Sequence, residues 1–208
     1  MFRRFALGIT LVAATLTAAA LQTSQAQKMA PPAPSSTDKP NAAPAAPSAA
    51  TAQPGDPFGE DTTLTARPMV YVKGTGNWDN AFETITKSLK TVKAYVDKEG
   101  LKVDGQPMTL FIATDDTGFQ YEAAIPVAEP PKTPPHGDIA VGTSPEGRAL
   151  KFVHRGSYDG LDNTYEAITN YLDEHRLEAK DMFIEQYQTD PMTTNEDHLV
   201  VNVYVMVK

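Results

Sequence analysis

From Pro68 to Lys208, apolar residues recur with two periods that change places in a fixed order. "RPMVYVKGTG" has the short alternation of a strand and ends in glycines. In "NWDNAFETITKSLKTVKAYVDKEG", Trp78, Phe82, Ile85, Leu89, Val92 and Val96 fall three or four apart, which predicts one apolar stripe along a helix. Asn77 or Asp79 is placed to cap its start and Gly100 to end it. "PMTLFIATDD" reads as a second strand, Asp115-Asp116-Thr117-Gly118 as a turn, and "FQYEAAIPV" as a returning strand.

The same order then appears again. "ALKFVHRGSY" is a strand ending near a glycine, and "DGLDNTYEAITNYLDEHRL" is a helix with Leu161, Tyr165, Ile168 and Leu172 on one face. "DMFIEQYQTDP" and "HLVVNVYVMVK" are the two following strands. Local echoes join the runs: Thr114-Asp115 with Thr189-Asp190, and Tyr95-Val96-Asp97 with Tyr171-Leu172-Asp173. The expected fold class is α+β, a tandem strand-helix-strand-strand repeat with halves at about 67–128 and 149–208. One such half buries little alone, so the halves are expected to pair about a pseudo-twofold axis into an antiparallel sheet. The helices then lie on one face, and the other face is left concave, where a pocket is expected.

The N-terminal third has a different composition. Arg3 and Arg4 precede an apolar run from about Phe5 to Leu21, and Ser24-Gln25-Ala26 supplies small residues for cleavage, so residues 1–26 read as a signal peptide. Residues 27–66 are rich in Pro and Ala and poor in large apolar side chains, which predicts a disordered tether. A periplasmic location is the resulting expectation, with no membrane contact after cleavage. Cleavage would remove two arginines and no acid, taking the formal charge from −8 to −10. That balance argues against nucleic acid as a partner. There is no cysteine, which excludes disulfides and thiolate metal sites. His136, His154, His175 and His198 are scattered without ligand spacing, so neither a metal nor a cofactor is expected.

The stretches "HRGSYDGLDNTYEAITNYL", "FIEQYQTDP" and "GFQYEAAIPV", in this order, resemble the GyrI-like domain, the effector-binding module of multidrug-responsive AraC-type and MerR-type regulators. The resemblance spans about residues 67–208; with no DNA-binding segment read in the sequence and a signal peptide expected, an exported stand-alone form is the expectation. It also implies a cavity lined by aromatic residues, with a glutamate facing lipophilic cations. Some relatives are hydrolases that use glutamate and tyrosine.

Strand alternation selects the residues for such a lining. Glu122 is the acid in an otherwise apolar strand, and Phe183, Glu185 and Tyr187 share one face of theirs. Asn202 and Tyr204 lie opposite the Val-rich face of the last strand. Under the repeat, Asn202 falls opposite Glu122, and Leu110 and Ile112 fall opposite Glu185 and Tyr187. Trp78 and Tyr158, beside the strand-to-helix glycines, are placed to close the ends. The expected cavity therefore holds both carboxylates, on the face away from the helices.

Three readings follow. The first is a binding module for aromatic or lipophilic cationic molecules. The second is a hydrolase with Glu122 or Glu185 as base and Tyr187 as hydrogen-bond donor. The third is a non-catalytic interaction protein of the envelope. Binding rather than catalysis is the first expectation.

Overall fold

The computed structural model describes residues 58–208. The expected signal peptide and most of the expected tether lie outside the described residues. Eight strands form one sheet: β1 (Phe58–Leu64), β2 (Pro68–Asn77), β3 (Met108–Thr114), β4 (Gly118–Pro126), β5 (Ile139–Thr143), β6 (Gly147–Gly156), β7 (Ala179–Tyr187) and β8 (Leu199–Val207). Their order is β1-β6-β8-β7-β3-β4-β2-β5, and every neighbouring pair is antiparallel. Helix α1 (Ala81–Lys98) follows β2, and helix α2 (Leu161–His175) follows β6. The fold is therefore α+β, as the periodicity predicts.

Each helix starts through a short 3-10 turn with its own cap. Asn77 Oδ1 accepts from the Asn80 N–H at 3.3 Å, and Ser157 Oγ accepts from the Gly160 N–H at 3.2 Å. These bonds satisfy donors that a helix start leaves open. At the other end of α1, Gly100 takes φ +62° and Leu101 N–H returns to Val96 O at 3.0 Å. Glycine enters that left-handed conformation without steric cost.

Along α1 the apolar stripe packs as expected: Ile85, Leu89, Val92 and Val96 are fully buried. They meet Val70 of β2, and Ala123, Ile125 and Val127 in and just beyond β4, so α1 closes over the first run's strands. Under α2 lie Phe152 of β6 and the valines of β8, among them Val201, Val203 and Val205. The face away from the helices carries its own buried apolar cluster, including Met69, Met108, Leu110, Ile184 and Met206. It is a packed surface where the sequence reading expected a lined pocket.

Two strands depart from that reading. Residues 58–64 fall within the predicted tether, yet they form β1 and pair with β6. Tyr171 of α2 sits over Gly59 and donates its hydroxyl to Gly59 O at 3.3 Å, while Phe58 meets Phe152 and Tyr171 edge-on. Residues 139–143, within the Pro-rich connection, form β5 on the free side of β2. Both are edge strands, built from short segments without strong alternation.

Candidate functional site

Cross-strand partners in an antiparallel pair point to the same side of the sheet. Glu185 pairs with Val203, Phe183 with Val205 and Tyr187 with Val201. Those valines face the helices, and so do Phe183, Glu185 and Tyr187. Glu122 pairs with Lys73 on β2 and with Leu110 on β3, on the opposite side. The two carboxylates therefore do not share a cavity. The sequence reading had Phe183, Glu185 and Tyr187 facing away from the helices, and the register corrects this.

Glu185 is 1% exposed. Three tyrosine hydroxyls converge on it. Tyr165 donates to Oε1 at 2.8 Å, Tyr187 to Oε2 at 2.9 Å, and Tyr158 to Oε2 at 3.2 Å. Tyr158 comes from the 3-10 turn before α2. Tyr165 lies seven residues further on, two helical turns, so both side chains reach over the same patch of sheet. Tyr187 has spent its proton on Glu185, so the Thr109 hydroxyl donates to it, at 3.0 Å.

Burial pushes the Glu185 carboxyl from 4.5 up to about 7, against the pull of the three tyrosine donors. Burial first, and the neighbouring carboxylate second, push the Tyr158 and Tyr165 hydroxyls well above their ordinary range; the same two causes act on Tyr187. Among the described residues, no basic side chain pairs with Glu185. A buried carboxylate with hydrogen bonds but no counter-ion is a half-filled electrostatic site.

Aromatic rings surround it. Phe183 stacks on Phe111 with centroids 4.6 Å apart and meets Tyr165 edge-on at 4.9 Å. Trp78 lies against Phe119 at 4.7 Å and stacks on Phe111 at 6.3 Å. Phe82 of α1 reaches Tyr158 at 5.1 Å, which joins the two helix starts. A carboxylate inside an aromatic wall is suited to a cation with apolar substituents.

The remaining candidates lie elsewhere. Glu122 forms an ion pair with exposed Lys73 at 3.2 Å. Asn202, Tyr204 and Gln186 make a polar strip on the same face, with Tyr204 donating to Gln186 at 3.2 Å and Asn202 to Tyr204 at 3.4 Å. Leu110 belongs to the apolar cluster of that face. Ile112 sits at the β3 bulge and borders a shallow cavity of about 410 Å³ with Met182 and Met206. Of the predicted site residues, the structure brings together Glu185, Tyr187, Phe183, Tyr158 and Trp78. It separates from them Glu122, Asn202, Tyr204, Leu110 and Ile112. Sequence reasoning missed Tyr165, Thr109, Phe82 and Phe111; the spacing of Tyr158 and Tyr165 was the available signal for the first. Among the described residues, no group of three His, Asp or Glu side chains is placed to hold a metal ion.

Replacing Thr109 with valine keeps the volume and removes the donor to Tyr187. The expected cost is about 1 kcal/mol of stability. Chemical denaturation checks it, and an unchanged midpoint would mean that this bond adds nothing to the cage.

Several solved structures share the fold. The C-terminal domain of EcmrR is 15% identical with a TM-score of 0.60, over 72% of this chain and 96% of that one. In an EcmrR–DNA complex the identity is 16% and the TM-score 0.62, and the match covers 72% of this chain and only 56% of the longer EcmrR chain. A hydrolase from Listeria innocua is 14% identical, TM-score 0.53, over 73% of this chain and 92% of that one. SAV2435 bound to tetraphenylphosphonium is 17% identical, TM-score 0.50, over 72% and 93%. No curated protein sequence matches the chain. Residues 62–208 match the family described as the GyrI-like small molecule binding domain, and the chain belongs to that family.

Proposed function

We propose that this small-molecule-binding domain takes lipophilic aromatic cations at Glu185, and that it does so in the periplasm. One observation carries the ligand class: a fully buried carboxylate, held by three tyrosines and walled by aromatic rings, has no cationic partner among the described residues. A bulky cation would supply the missing charge, and the rings would supply apolar and cation–π contact. Because Tyr158 and Tyr165 cover the carboxylate, binding requires these side chains to move aside. SAV2435, which shares the fold, has been solved with tetraphenylphosphonium bound, a cation of this class. The location rests on the charged, apolar and small-residue succession of residues 1–26.

The test is a calorimetric titration with tetraphenylphosphonium at pH 8, beside neutral triphenylphosphine oxide. The cation is expected to bind at least about tenfold more tightly, a difference of about 1.4 kcal/mol. Equal affinities, or no saturable binding, would overturn the ligand class. For the location, the mass of the protein recovered from the periplasmic fraction should correspond to a chain starting at Gln27.

A second reading has its own observation. A carboxyl titrating near 7 is poised to act as a base at neutral pH. Glu185 would take a proton from water as the water oxygen attacks an electrophilic carbon, and a tyrosine hydroxyl would protonate the leaving group. The Listeria innocua hydrolase shares the fold. Incubation of a strained electrophile in ¹⁸O-water distinguishes the readings: labelled product supports catalysis, and recovery of unaltered compound supports binding alone.

A further inference from the structure

His154 is 2% exposed, on β6, and the site just described makes no use of it. Both of its ring nitrogens are engaged. Nε2 lies 2.9 Å from the backbone oxygen of Ser157, and Nδ1 lies 2.8 Å from the Thr164 hydroxyl. A carbonyl oxygen only accepts, so Nε2 carries the proton. In the neutral ring Nδ1 then accepts from Thr164. Burial holds the imidazole below its ordinary range, which keeps that neutral form at neutral pH. The positions of the two partners matter more than the bonds themselves. Ser157 immediately precedes Tyr158, and Thr164 immediately precedes Tyr165. These are the two tyrosines that reach Glu185 from outside its own strand.

We infer that His154 is a positioning residue for the Glu185 cage: its ring pins the chain at Ser157 and at Thr164, and so sets where the Tyr158 and Tyr165 hydroxyls meet the carboxylate. One rigid ring on the sheet thus ties down both ends of the segment that carries two of the three donors. The surroundings suit this task. Thr164, with no exposed surface, has its hydroxyl committed to the ring. Gly160 passes close enough that a Cβ there would stand 3.3 Å from His154 Cε1. Among the described residues, Ser157, Gly160 and Thr164 lie against the ring, and none of them titrates. Those that face Glu185 are Tyr158, Tyr165 and Tyr187, and Asp162 acts on Tyr165. The inference deepens the reading of Glu185 as the ligand anchor, but its test needs no ligand.

The experiment follows the ¹³C carboxyl resonance of Glu185 through a pH titration of the full ligand-free chain, the signal being identified by its loss in Glu185→Gln. In the wild type, the midpoint is expected near the about 7 that burial produces. In His154→Leu, two donors that favour the charged form are displaced, so the midpoint should rise by about one pH unit, a tenfold change. Thr164→Val should move it the same way by less, and Thr164→Ser, which keeps the hydroxyl, should restore the wild-type value. If His154→Leu does not fold, the two Thr164 variants decide alone. A lower melting temperature with an unmoved midpoint would overturn the inference, because His154 would then only hold α2 to the sheet. A fall toward the ordinary carboxylate value would also overturn it, because water rather than misplaced tyrosine would have reached Glu185. A parallel titration of each variant with tetraphenylphosphonium keeps the two readings apart. A wild type that fails to bind, with the variant shifts intact, removes the ligand and leaves the positioning role standing.

Discussion

Glu185→Gln is expected to weaken tetraphenylphosphonium binding by about a hundredfold at pH 8. The same change should stabilise the ligand-free fold by about 2 kcal/mol. The two effects have one cause. Burial raises this carboxyl from 4.5 to about 7, so at pH 8 the folded protein holds a charge that the unfolded chain would carry at far lower cost. A shift of that size is worth about 3 kcal/mol. Glutamine has nearly the same shape and no charge, which removes the penalty. Its amide also donates where the carboxylate only accepted, so one tyrosine must reorient, and about 1 kcal/mol of the gain is lost. Calorimetry and urea denaturation of the same samples measure both quantities. Glu122→Gln is the control: Glu122 pairs with Lys73 on the other face, and its loss should leave affinity unchanged. Full binding by Glu185→Gln would remove Glu185 as the anchor. Weakening by Glu122→Gln would move the site to the opposite face.

The pH profile should separate binding from stability between pH 5 and 8. A carboxyl raised on folding binds its proton more tightly in the folded state. Its contribution to stability is therefore fully present below 4.5 and is lost as pH rises toward about 7. Cation binding runs the other way, because the proton and the ligand compete for one charge. Affinity should be flat above about 7 and fall by up to about tenfold per pH unit below it, close to a hundredfold between pH 8 and pH 5. Neutral triphenylphosphine oxide should show no such slope. Other carboxyls shift as well: Asp162 upward by burial, and Asp115 downward through the Thr117 and Gly118 donors. The difference between wild type and Glu185→Gln isolates the contribution of Glu185. A cation affinity independent of pH from 5 to 8 would mean that Glu185 does not titrate against the ligand.

Much of this architecture was legible before any coordinates. Ile85, Leu89, Val92 and Val96 recur so regularly that no element other than an amphipathic helix accommodates them, and all four are fully buried. The turn at Asp115–Gly118 was equally clear, since Asp115 Oδ1 takes three hydrogen bonds from Thr117 and Gly118 as a short polar turn residue can. Strands β1 and β5 were not legible. An edge strand is paired on one side only and needs no strong alternation to stay in place, so a Pro-flanked or Pro-following segment gives little sign of it.

The site shows where sequence and structure divide the work. Side-chain direction alternates along any strand, so local pattern alone puts Phe183, Glu185 and Tyr187 on one strand face, Val201, Val203 and Val205 on another, and Glu122 in an apolar strand. Whether two such faces point the same way depends on register, and register is a property of the pair. The strand pairing sets it: Glu185 lies beside Val203 and Tyr187 beside Val201, so the glutamate faces the helices and leaves Glu122 on the far side. The same holds for Tyr158, Tyr165 and Thr109. Their distances from Glu185 are set by how α2 settles on β6 and how β3 meets β7. Those packing contacts join residues far apart in the chain, and no local pattern encodes them.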